Sequence, residues 1–234
     1  MQKALLVCLL LAFAGQSLAQ SEDEFLEYLL NIQNKAETVH QLMEGSFDRA
    51  RFAMSEQLLE LNRWLVGIMN NALEEVEKLQ TDMGALLNTS TALPACLTVV
   101  QNNWELEITK VGSTLQSCAA QATLDIIRVT ADVHGAIEAA QPRSTELQNI
   151  VVRGFINWNA LDNTEQLSAI VGAQIQEKYE NFRGVTLPGI DRTVQNVYSL
   201  SAELPARIRR CAGLGVERLN NYARVVAETL SFCH

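Results

Sequence analysis

The chain has 234 residues, 48% of them hydrophobic, and its 27 Asp and Glu against 18 Lys and Arg give a net charge of −9. That length and apolar content suffice for a real core in one large domain or two small ones. The acidic balance argues against nucleic acid or anionic lipid surfaces as partners, since both need a basic patch to offset phosphate charge.

At the N-terminus, Lys3 supplies a positive charge, Ala4 to Ala14 an apolar run, and Ser17 and Ala19 the small residues of a cleavage site. This pattern predicts a secretory signal peptide over residues 1–19, cut after Ala19, and a secreted, extracellular product. The run is shorter than the roughly 20 apolar residues of a spanning helix. Polar or charged residues interrupt every later apolar stretch, so no membrane span is expected. Cleavage removes Cys8 and Lys3 and leaves the product slightly more acidic.

Apolar residues then recur at steps of three and four, and Pro and Gly are few, which predicts helices. The first helix is expected from Ser21, with Ser21 and Glu24 as a capping box, to Met43. A kink is expected at Gly45-Ser46, and a long helix from Ser46 to Leu87. Met54, Leu58, Leu61, Leu65, Ile68 and Ala72 form its seam, continued by Leu79 and Leu86. Asn88 to Pro94 reads as a loop, with Pro94 in the first turn of the next helix. That helix carries Cys96, Trp104, Ile108, Cys118 and Leu124 toward Ala140. Gln141 to Ser144 reads as a linker around Pro142, with Ser144 capping a new helix. The division is therefore 20–141 for an N-terminal helical half and 142–234 for a C-terminal one, the two forming either separate halves or one continuous domain. In the second half Leu147, Val151, Gly154, Trp158 and Leu161 form a stripe, an interruption is expected at Asp162 to Glu165, and Leu167, Val171, Ile175, Tyr179 and Phe182 resume it. Gly184 to Gly189 reads as a second loop, and two further helical segments, Val194 to Leu204 and Leu204 to Phe232, complete the chain. The expected fold is all-α: an elongated antiparallel bundle of long helices stapled by disulfides.

Four cysteines remain after the leader, in two pairs of equal spacing, Cys96 with Cys118 and Cys211 with Cys233. An even count in a secreted chain predicts disulfides. Val111, Thr114, Leu115 and Cys118 match Val226, Thr229, Leu230 and Cys233 in register, which leaves an internal duplication as one reading and convergent helical patterning as the other. On a continuous helix, 22 residues place two cysteines about 33 Å apart, far beyond the roughly 7 Å reach of a disulfide. Either each pair spans a fold-back, or the two cysteine helices are stapled to each other. Parallel packing would give Cys96-Cys211 and Cys118-Cys233; antiparallel packing would give Cys96-Cys233 and Cys118-Cys211.

Catalytic signals are missing from the sequence. His40, His134 and His234 lack metal-ligand spacing, and there is no Gly-x-Ser-x-Gly elbow, phosphate-cradling loop or Cys-x-x-Cys. The expectation is a protein that is no enzyme and holds no metal or cofactor. Arg207, Arg209, Arg210, Arg218 and Arg224 form a basic cluster, read as a solvated face paired with carboxylates such as Glu203 and Glu217. Asn88-Thr89-Ser90 is the one glycosylation sequon, set in the expected loop. Met43, Met54, Met69 and Met83, with Phe47, Phe52 and Trp64, read either as ordinary core or as the lining of a cavity, with Phe52 and Met69 as the candidate ligand contacts.

The signal peptide, the helical body, Leu93-Pro94-Ala95-Cys96 and the Thr-Leu-x-x-Cys context of Cys118 and Cys233 resemble secreted dipteran proteins with a TsetseEP-type domain. The resemblance covers much of the chain to Cys233. It implies an extracellular helical protein of insect gut, haemolymph or reproductive secretion, sometimes linked to immune response. The Glu-Pro repeat tail of the founding protein is absent, so roles that depend on it do not carry over. The expected function is thus a secreted, non-enzymatic helical binding or interaction protein with a protein partner; the alternative is an extracellular carrier of a small apolar ligand, lipid or steroid, between helices.

Overall fold

A computed structural model gives the fold. It describes residues 19–157 and 164–233, and the side chains of 26–154 and 165–233. Helix α1 runs Ala19–Thr89, α2 Pro94–Asn157, α3 Thr164–Asn181, a π-helical turn Phe182–Thr186, and α4 Leu187–Ser231. No strand occurs among the described residues. Residues 1–18 of the expected leader, Trp158, Leu161, the expected break at Asp162-Asn163, and His234 lie outside the described residues, as do the side chains of Ser21 and Glu24.

The buried positions of α1 explain its length. Leu29, Ile32, Ala36, Val39, Met43, Phe47, Ala50, Met54, Leu61, Leu65, Ala72, Val76 and Met83 are all buried. Their spacing averages about 3.6 residues per turn, the period of a straight helix. The seam therefore follows the expectation through Ala72 and then passes to Val76 and Met83, leaving Leu86 exposed. The helix is continuous through Gly45-Ser46. A mid-helix Gly costs about 1 kcal/mol relative to Ala, whereas Met43 and Phe47 beside it are fully buried, each burial contributing about 1.5–3 kcal/mol. Ser46 Oγ donates to the Leu42 carbonyl at 2.8 Å, so its hydroxyl is used inside the helix.

Two further expected breaks are also helical. The linker at Gln141–Ser144 lies inside α2, with Pro142 in the helix interior. Ser144 caps nothing: it is fully buried, and its Oγ lies 2.6 Å from Glu44 Oε1 and 3.0 Å from the Gln141 carbonyl oxygen. The loop expected at Gly184–Gly189 is the π-helical turn running into α4. There the helix continues without a break, Leu187 N–H donating to the Phe182 carbonyl, and Pro188 follows directly on this widened turn. Likewise α4 continues through Pro205 as one helix. The Pro94 expectation matches the start of α2, after a short connection, 90–93.

The chain forms two compact units and passes between them three times. One unit comprises the chain up to Asp48 with Ile137–Gly189; the other comprises Arg49–Ala136 and the chain from Ile190. In the first unit, Phe47 and Phe182 meet edge to face, 5.7 Å between centroids. Leu147, Leu167, Val171 and Ile175 are buried there. Gly154 permits a close approach of α2 and α3: an added Cβ would lie 2.6 Å from Val171 Cγ2. Arg143 of α2 hydrogen-bonds Asn181 Oδ1 and Thr186 Oγ1, on either side of the buried Phe182. In the second unit, one core gathers Val76, Met83, Val100, Trp104, Val111, Leu115, Val216, Leu219 and Val226. A second joins Leu61, Leu65, Ala122, Leu204 and Ile208.

Candidate functional site

The second unit holds both disulfides. Cys96 pairs with Cys233 and Cys118 with Cys211, with Cα atoms 6.1 and 6.0 Å apart. This is the antiparallel alternative; the parallel pairing and the fold-back within each pair do not occur. The reason is visible along the two helices, where each step up α2 meets a step down α4. Between the bonds Trp104 stacks on Tyr222 at 6.3 Å, Arg218 reaches Glu107 and Gly215 packs on Val111 and Leu115; just beyond the inner bond Arg207 Nη2 lies 2.8 Å from Asp125 Oδ2. At the open end, Leu93 N–H donates to the Cys233 carbonyl at 2.9 Å, tying the α1–α2 connection to the chain's end.

Glu107 is the polar residue that the sequence reading passed over. It is only 6% exposed, accepts hydrogen bonds from Arg218 Nε and, at 3.2 Å, from Lys110 Nζ. Burial pushes its carboxyl up, but the hydrogen bonds and charges of Arg218 and Lys110 outweigh this and hold it below its ordinary value. A signal existed: Val100, Trp104, Glu107 and Val111 share one helical face at steps of four and three, which places Glu107 at a core position. The basic cluster is thus paired differently from the expectation. Arg207 and Arg218 reach Asp125 and Glu107 on α2, not Glu203 or Glu217 on their own helix, and Arg224 hydrogen-bonds Asn221.

Between α1 and α4 of the same unit lies a groove in two joined parts. One, about 520 Å³, is floored by Ile68, Ala72, Ala212 and Val216 and edged by Arg63 and Glu75. The other, about 340 Å³, adds Gln57, Tyr198, Ser201 and Pro205. Glu60, Trp64 and Arg209 line both. Small residues create the space, with Gly67 on one wall and Gly213 on the other. Trp64 is 54% exposed and Tyr198 38%. Neither Arg63 nor Arg209 forms an ion pair among the described residues. Pro205 lacks the N–H that would bond the Ser201 carbonyl, freeing that acceptor. The α1 side chains of the groove lie more than 120 residues from the α4 ones in sequence, so no local pattern announces the groove.

A second surface feature runs along α1. Phe52, Leu59, Val66 and Leu73 recur every seventh residue and are 46–70% exposed. Seven-residue steps drift only about 20° each around a straight helix, so the four line up on one face of α1 at intervals of about 10 Å, with Glu56, Arg63 and Asn70 between them.

The cavity candidates separate. Met43, Met54, Met83 and Phe47 are buried core, Met69 is half-buried against both core clusters of the second unit, and Phe52 is 70% exposed. Neither Phe52 nor Met69 lines the groove. Leu124, expected to continue the α2 stripe, is exposed, and Ala122 is buried in its place. Asn88 is exposed but sits in the last turn of α1, not in the connection. Among the described residues no cluster of His, Cys, Asp and Glu is arranged to hold a metal ion, and no helix is long and apolar enough to cross a membrane. No family model matches the chain, and no curated protein matches it in sequence.

Proposed function

We propose that this chain is a secreted, non-enzymatic helical binding protein of extracellular fluid, of the TsetseEP-type kind that its cysteine contexts resemble. The observation that carries the reading is the apolar stripe Phe52, Leu59, Val66 and Leu73 on a unit clamped by two disulfides. Apolar residues repeated along one exposed helix face supply the evenly spaced anchors by which a helix seats in a partner's groove. The leader and the paired cysteines support an oxidising, extracellular setting, where such bonds persist. Asn88, exposed at the end of α1, is the proposed glycan site.

The experiment is expression with the native leader in cultured insect cells, followed by mass spectrometry of the medium. The product should begin at Gln20 and carry a glycan on Asn88. A photo-crosslinker placed at Leu59 or Val66 should then give discrete protein adducts in gut, haemolymph or reproductive fluid that a crosslinker at exposed Asn102 does not. Retention inside the cell, or equal labelling from Val66 and Asn102, overturns the reading.

A further inference from the structure

The groove between α1 and α4 presents both signs of charge around an apolar floor, with two partly exposed aromatic rings where its two parts meet or extend. We propose that it binds a choline-type zwitterion, a trimethylammonium group joined through a phosphate to an apolar body. The faces of Trp64 and Tyr198 attract a quaternary ammonium, and Glu60, which lines both parts, neutralises it. Arg209 lines both parts as well, and with Arg63 it offers guanidinium donors to phosphate. A simple anion would meet the Glu60 carboxylate and leave the rings unused, while a simple cation would meet two guanidiniums. A ligand carrying both charges satisfies all five groups and lays its apolar body along Ile68. The volumes, about 520 and 340 Å³, fall in the usual range of small-molecule sites. This site is independent of the stripe, so either can fail without the other.

The test uses the full secreted protein in calorimetric titrations with phosphocholine, choline and inorganic phosphate. Phosphocholine should saturate with a dissociation constant of about 1 mM or tighter, and more tightly than either fragment. Trp64→Ala should weaken phosphocholine and choline about 5- to 30-fold. Arg209→Gln should weaken phosphocholine while choline binds as tightly or more tightly, one opposing guanidinium being gone, and Phe52→Ala, on the stripe, should change neither. Each variant is first shown by circular dichroism to melt with the parent. Retention on phosphatidylcholine vesicles with displacement by free phosphocholine identifies a lipid source; saturable phosphocholine binding without vesicle retention identifies a soluble one. No saturation by about 10 mM phosphocholine, unchanged affinity in Trp64→Ala, or phosphate binding as tightly as phosphocholine overturns the proposal.

Discussion

Arg218→Gln tests the polar contact buried between the two disulfides. Glu107's side chain is 8% exposed, so its charge depends on Arg218 and on Lys110 at 3.2 Å. Breaking a wholly buried pair costs about 3–5 kcal/mol. Arg218 itself is 58% exposed, so water screens part of the attraction, and Lys110 remains. The expected loss is about 1–2 kcal/mol, near one hydrogen bond to a charged group. Urea unfolding followed by circular dichroism at neutral pH measures it. Adding Glu107→Gln removes the orphaned charge and should recover part of the loss, giving a coupling of about 1 kcal/mol in the double-mutant cycle. The sign of the pH dependence follows from the carboxyl being held below its ordinary 4.5. The folded state then binds fewer protons than the unfolded state, so the contribution is complete above about pH 4.5 and is lost as pH falls below it. Without Arg218, burial is opposed only by Lys110 and this acid limb should flatten. Equal stability and an identical acid limb in Arg218→Gln would refute the reasoning.

Leu61→Ala, at a fully buried position, should cost about 2–5 kcal/mol, while exposed Phe52→Ala should stay within about 0.5 kcal/mol; thermal melts compare them. Gly154→Ala should lose about 1–3 kcal/mol, because its Cβ meets Val171 Cγ2 at 2.6 Å, and Val171→Ala in the same chain should restore much of it. Removing the inner disulfide with Cys118→Ser and Cys211→Ser should cost about 3–4 kcal/mol in urea with the outer bond in place, because the outer bond already restricts the unfolded chain.

The period of the apolar residues made the helices legible, and the failures share one cause. Gly45, Pro142, Gly184 and Pro188 are local breakers, and their penalties of about 1–3 kcal/mol are matched by the burial of a few apolar neighbours such as Met43, Phe47, Leu147 and Phe182. Local signals carry no information on those neighbours. The seam slipped between Leu79 and Leu86 because a straight helix of about 3.6 residues per turn drifts away from a strict three-four count over many turns. Disulfide geometry narrowed the pairings but left both helix directions open; Glu107, Arg218, Asp125 and Arg207 select the antiparallel one, and their cross-helix partners are invisible within either segment alone. Of the groove, Trp64 and Arg209 were noticed singly, while Glu60 and Tyr198 gained meaning only once α1 and α4 were side by side.

The central claim is the antiparallel clamp of α2 against α4, and non-reducing proteolysis with mass spectrometry tests it most directly. The account predicts cross-linked peptides joining Cys96 to Cys233 and Cys118 to Cys211, both retained without reductant. Peptides joining Cys96 to Cys211, or Cys96 to Cys118, would contradict it.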